Sequence, residues 1–191
     1  MGLLHTYDVD VTWTGAGALG TASYTAYSRD HEVQFAGKPP LPGSAGPAFR
    51  GDPGRYNPEE LLVGALSQCH MLWFLHLAAT DGVVVTGYTD RATGTMRVEA
   101  AGQGHFTQVV LHPAVTLASP TRGDGRPVSD ADLLALHGRA HEHCFVARSV
   151  SFPVRQDPVP FRVAAAVGMP AAGAGTPEPA ANTPATVATA L

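Results

Sequence analysis

Cys69 and Cys144 are the only two thiols in the chain, 75 positions apart, and both fall in segments that read as helix. Such a pair can serve as a structural disulfide, a metal pair or a redox pair. Redox work requires a thiolate. A free thiol with a pKa near 8.5 is only a few per cent ionised at neutral pH, and lowering that value to about 6 raises the reactive fraction some thirty-fold. A nearby guanidinium has this effect, and Arg50, Arg29 and Arg55 are the available ones, with Glu59 as the natural carboxylate to hold one in place. The plain alternative is that these are solvated loop arginines beside a helix-capping glutamate, with Cys69 acting as a small buried hydrophobe.

Two other chemistries compete. His137 and His141 lie at i and i+4 on one helix face, with His143 and Cys144 close behind, which makes a zinc set of modest specificity. No CxxC or HExxH accompanies them. A Cys–His hydrolase would need a histidine for Cys69. His70 is adjacent in sequence but projects about 100° away on a helix, so it is not expected to serve that thiol.

The elements that position these residues read clearly in places. Asn57 is a cap, Pro58 suits the first helical position, and Glu59 and Glu60 complement the dipole, so a helix begins at Pro58. Leu62, Leu66, Cys69, Trp73 and Leu77 recur at spacings of three and four, and Leu61, Ala65, Leu72, Leu75 and Ala79 fill the neighbouring stripe. A helix apolar nearly all round is expected to be surrounded by protein. Ser129 with Asp132 starts a second helix, expected from Asp130 to about Phe145. Strands are expected at 5–13, 19–26, 32–35, 83–90, 94–100 and 106–117, the last with Pro113 at an edge or bulge, and at 152–154 and 159–167. Between 38 and 56, close-set Pro and Gly predict a long loop in which neither helix nor strand persists. The layout is α+β: antiparallel sheets wrapped around two cysteine-bearing helices.

A net charge of −4 with no basic run excludes a nucleic-acid footprint. The start of the chain lacks a signal-peptide pattern, and Ser67, Gln68, His70 and His76 interrupt the apolar run, so no membrane span is expected. A cytoplasmic location follows, where a pair of cysteines is more often catalytic than a permanent staple. Residues 1–167 form the expected domain. Residues 168–191, rich in Ala, Pro and Thr, are an expected disordered tail.

The run Asn57-Pro58-Glu59-Glu60-Leu61-Leu62, Cys69 ten positions after Glu59, and a second helix ending Ala140-His141-Glu142-His143-Cys144 before a last strand together resemble the OsmC/Ohr family of osmotically inducible and organic hydroperoxide resistance proteins. The resemblance spans about residues 5 to 166 and departs at Phe145, where the family usually carries proline. It implies an OsmC-like fold built as an intertwined homodimer and a peroxiredoxin-like cysteine peroxidase that reduces organic hydroperoxides with electrons from a dithiol reductant, without cofactor or metal. By position, Cys69 resembles the peroxidatic cysteine, Cys144 the resolving one and Glu59 the glutamate. Arg50 best resembles the arginine, with Arg29 the alternative. Phe49, Met71, Leu72, Trp73 and Phe145 are the expected lining of an apolar substrate pocket. The rival reading is a non-enzymatic, stress-associated dimer that binds a hydrophobic small molecule.

Overall fold

The computed structural model describes residues 3–165, so the segment expected to be a disordered tail lies outside the described residues. Among the described residues, nine strands form three three-stranded sheets, accompanied by two α-helices. β1 (Val9–Trp13), β2 (His31–Phe35) and β3 (Leu41–Gly43) make an antiparallel meander. β4 (Val85–Asp90), β7 (Pro113–Leu117) and β9 (Arg162–Val163) make the second sheet, and β5 (Thr93–Val98), β6 (Gly104–Leu111) and β8 (Val154–Gln156) the third. The late strands β8 and β9 pair in parallel with β6 and β7, so two of the three sheets are mixed and not purely antiparallel.

α1 (Pro58–Thr80) is continuous over 23 residues. Its start is a full capping box: the Asn57 side chain accepts the Glu60 N–H at 2.9 Å, and the Glu60 carboxylate accepts the Asn57 N–H at 3.4 Å. α2 (Asp130–His143) opens on the expected Ser129–Asp132 box. The helices are joined at their rims by Arg139, whose guanidinium donates two hydrogen bonds to Asp81, just beyond the end of α1. Between them, Phe74, Leu77, Leu133, Leu136 and Ala140 pack on Val115 and Leu117 of β7, while the first half of α1 sets Leu66 against Val109 and Leu111 of β6. α1 is long and apolar enough to cross a membrane by length and composition, yet Leu66, His70, Phe74, Leu77 and Ala78 are buried in this core.

Several expectations are corrected. The buried stripe of α1 runs through Leu66, His70, Phe74 and Leu77, so it is rotated from the Cys69–Trp73 stripe. The far side carries Leu61 and a Leu72 that is 62% exposed, so one chain covers only one face of α1. Residues 19–26 are turns, because Gly20 takes a left-handed φ of 52° and breaks the extended run. The 38–56 segment holds β3 and a short 3-10 turn, Pro47–Phe49, since buried Ser44 pins it, donating to Asp30 Oδ1 at 3.0 Å and accepting the Asp52 N–H at 3.1 Å. The single strand expected at 106–117 is two strands in different sheets. The break is at His112, whose N–H donates to Asp90 Oδ1 at 2.7 Å, while Asp90 Oδ2 accepts the Ser67 hydroxyl at 2.6 Å and so ties the break to α1.

Candidate active site: two thiols and a separate arginine–glutamate pocket

The middle of α1 and the end of α2 meet at the two cysteines. Cys69 is half-buried on α1, and Cys144, 1% exposed, is the residue that terminates α2 with an extended backbone. Both are free thiols, and Cys69 is near enough to Cys144 to perturb its ionisation. Cys144 Sγ also accepts the Ala147 N–H at 3.5 Å. Burial, followed by the presence of Cys69, pushes the Cys144 thiol up to about 11, so it stays protonated at neutral pH. Around this pair stands an aromatic group. Trp73, one turn beyond Cys69, stacks on His143 with ring centroids 5.0 Å apart and meets Phe145 edge-on at 5.4 Å. Leu72, Trp73 and His76 line a shallow depression of about 210 Å³, Phe145 is exposed, and Met71 is half-buried.

A larger pocket of about 660 Å³ lies at the other end of α1, lined on its apolar side by Trp13, Tyr27, Phe49 and Met96 and carrying Arg29, His31 and Glu59. Arg29 is held firmly: it donates to the carbonyls of Tyr27 at 2.8 Å and Tyr24 at 2.9 Å, and its guanidinium lies 4.2 Å and 4.3 Å from those two ring centroids. Arg50 is exposed at a left-handed φ of 64° and does not line this pocket. Arg55 lies 3.8 Å from both Asp30 and Asp52 and organises the loop.

Arg29, Glu59 and Phe49 are thus brought together, and so are Cys69, Cys144, Leu72, Trp73 and Phe145, but the two groups are separate. Glu59 and Cys69 are ten residues apart on an unbroken helix, which is about 15 Å along its axis. The zinc arrangement is not formed, because His137 turns inward, with its Nδ1 3.0 Å from Nε2 of His70, and among the described residues no three potential ligands converge. That histidine pair, and the roles of Trp13, Tyr27 and His31 in the pocket, were not foreseen. The unusual polar residue in the true buried stripe, His70, was the available signal.

An α+β fold whose two helices bring paired thiols to their crossing, with an arginine–glutamate pocket at one helix start, defines a thiol-bearing OsmC-like architecture. The OsmC-like protein family model matches residues 51–157, and the chain belongs to this family. An OsmC-like protein of unknown function from Vibrio cholerae is 32% identical with a TM-score of 0.72, over 82% of this chain and 100% of that one. An organic hydroperoxide resistance protein OsmC from Legionella pneumophila shares the fold at 16% identity and a TM-score of 0.59, covering 86% of this chain and all of its own. An OsmC-like protein from Mycoplasma pneumoniae does so at 12% identity and a TM-score of 0.62, over 84% and 99%. No curated protein matches the sequence.

Proposed function

We propose that the protein is a thiol-dependent peroxidase that reduces organic hydroperoxides to alcohols. The observation that carries the reading is the pairing of a half-buried Cys69 with a neighbouring, fully buried and protonated Cys144. Cys69 is the thiol that a substrate reaches. Its thiolate attacks the terminal peroxide oxygen, the O–O bond breaks, and the alkoxide leaves and is protonated to the alcohol. The resulting Cys69 sulfenic acid condenses with Cys144, releasing water and closing a disulfide that an external dithiol reopens. The aromatic and aliphatic side chains around the pair favour a bulky alkyl peroxide over hydrogen peroxide.

Arg29 is the better candidate for activating the thiol, because it shares a pocket with Glu59 and is anchored, whereas Arg50 is not in that pocket. Since α1 is unbroken, Arg29 and Glu59 serve the Cys69 of a second copy of the chain, in a two-fold homodimer with composite sites. The uncovered face of α1 and the exposed β1, where Val11 is 65% exposed, supply apolar surface for that contact.

The test is peroxide consumption with cumene hydroperoxide and a dithiol. Cys69→Ser is expected to abolish turnover, while Cys144→Ser still consumes about one equivalent and accumulates sulfenic acid. Uptake by Cys69→Ser with none by Cys144→Ser would reverse the roles, and no uptake by the wild type would overturn the reading.

A further inference from the structure

Trp13 and His31 line the arginine–glutamate pocket without a part in the peroxidase reading, and a ring nitrogen of each bonds the segment that carries Arg29. Four consecutive carbonyls of that segment are occupied in turn. Tyr27 accepts from Arg29 Nη1 at 2.8 Å, Ser28 from Trp13 Nε1 at 2.9 Å, Arg29 from His31 Nδ1 at 2.9 Å and Asp30 from the Thr14 N–H at 2.9 Å. A carbonyl oxygen only accepts, so Nδ1 of His31 carries its hydrogen whatever the charge of the ring. A peptide unit held in this way cannot turn without giving up a hydrogen bond. The backbone of Arg29 is thus fixed from β2, as its guanidinium is fixed from Tyr24 and Tyr27.

The sheet gives the His31 ring a seat. His31 stands opposite Trp13 on β1 and opposite Gly43 on β3. Its imidazole lies directly on Gly43, where an added Cβ would collide with Nε2 and Cδ2. Gly43 does not take a left-handed φ, so what this position needs is room for the ring and not backbone freedom. Around the seat, Ser44 donates to Asp30 at 3.0 Å and Arg55 donates to the His31 carbonyl at 3.4 Å. Among the described residues no carboxylate pairs with Arg29, and its holds are carbonyls and tyrosine rings. The guanidinium therefore keeps its charge for the pocket, and its aim depends on the neutral groups around it.

We propose that His31 is a positioning residue for Arg29: seated on Gly43, it holds the Arg29 carbonyl through Nδ1 and so sets the direction in which the guanidinium points into the pocket. The consequence for catalysis rests on the peroxidase reading with its two-copy site, whereas the hold on Arg29 does not. In that reading Arg29 stabilises the Cys69 thiolate and the charge on the departing peroxide oxygen, and His31 acts only through Arg29, exchanging no proton itself. A charged group displaced by about 1 Å from the reacting atoms costs on the order of 10²-fold in rate.

The experiment follows cumene hydroperoxide consumption with a dithiol for the full-length wild type, His31→Asn, His31→Gln, His31→Leu and Gly43→Ala, together with the rate at which phenylglyoxal modifies Arg29, read by peptide mass. An asparagine amide nitrogen takes the place of Nδ1 and a glutamine amide nitrogen that of Nε2, so only His31→Asn keeps the bond to Arg29. In Gly43→Ala the new Cβ pushes the ring off its seat. His31→Gln, His31→Leu and Gly43→Ala are expected to lower kcat/KM by up to ~10²-fold and to speed modification of Arg29 severalfold, while His31→Asn stays close to the wild type in both. A His31→Leu/Gly43→Ala double variant is expected to be no slower than either single variant, because both remove the same bond. A His31→Asn protein as impaired as His31→Leu, an Arg29 equally reactive in every protein, or additive losses in the double variant overturns the positioning. If the wild type consumes no peroxide the peroxidase reading falls, and the phenylglyoxal rates then decide the positioning alone. Should the variants not fold, the tautomer of His31 in the wild type decides: with the ring neutral, long-range nitrogen NMR finds the hydrogen on Nδ1 if His31 holds the carbonyl, and a hydrogen on Nε2 instead overturns it.

Discussion

Placing two neutral imidazoles in the helix seam makes the fold sensitive to acid. The folded values near 4 for His70 and near 3 for His137 lie below the ordinary 6.5, so the unfolded chain binds protons that the folded chain refuses. Their contribution is complete above about pH 6.5 and is lost as pH falls toward 4, on the order of 3 kcal/mol for His70 alone. The two rings share a hydrogen bond, so the contributions do not add independently. The denaturant midpoint is therefore expected to fall between pH 6.5 and 4, and to flatten over that window in a His70→Leu/His137→Leu double variant. A wild-type midpoint that is level across the window would contradict the burial of neutral rings. Asp81, Asp124 and Asp132, whose carboxyls are held below the usual range chiefly by hydrogen bonds to Arg139, Arg126 and Ser129, titrate lower and do not confuse it. The thiols were legible in the sequence because cysteine is rare here. The histidine pair was not, because its partners are 67 residues apart and only packing brings them together.

At the scale of elements, the start of α1 depends on the loop before it. Asn57 is 8% exposed and holds the capping box, so Asn57→Ala is expected to cost ~1 kcal/mol. Gly51→Ala is expected to cost more, because its added Cβ would collide with the backbone carbonyl of Ala45. Thermal melts of the two variants check the order, and a Gly51→Ala protein as stable as the wild type would show that the loop relaxes freely. Elements defined by nearby residues were the legible ones, since a cap and the apolar period are local: Pro58 and Ser129 mark both helix starts in sequence and structure. Elements defined by distant partners were not. The 106–117 run has uninterrupted strand character, and only the Asp90 carboxylate against the His112 N–H reveals that it divides between two sheets. The parallel pairings of β8 and β9 are decided by their long-range neighbours, Val109 and Thr116 among them.

At the scale of the whole molecule, the separation of Glu59 and Cys69 along one rigid helix is the main constraint on function. A composite dimer makes a definite forecast. Glu59→Ala and Cys69→Ser proteins, each inactive alone, should regain activity when mixed and allowed to exchange subunits, because each heterodimer holds one intact site. Persistent inactivity of heterodimers verified by mass, or a fully active monomer at high dilution, would rule out shared sites. The sequence carried this constraint in the ten-residue spacing and the strong caps, and the structure adds that α1 runs unbroken through Gly64.

The position of Trp73 gives the molecule an optical readout of its own oxidation state. Only two tryptophans exist in the chain, and this one sits a helical turn from Cys69, flanked by His143 and by Phe145 next to Cys144. A disulfide is a far better electron acceptor from an excited indole than two thiols are. In a Trp13→Phe background the emission of Trp73 should therefore drop when the pair closes and recover on adding a dithiol, so a single turnover is visible in a fluorimeter without a label. Emission indifferent to diamide would mean that the disulfide does not form beside the indole.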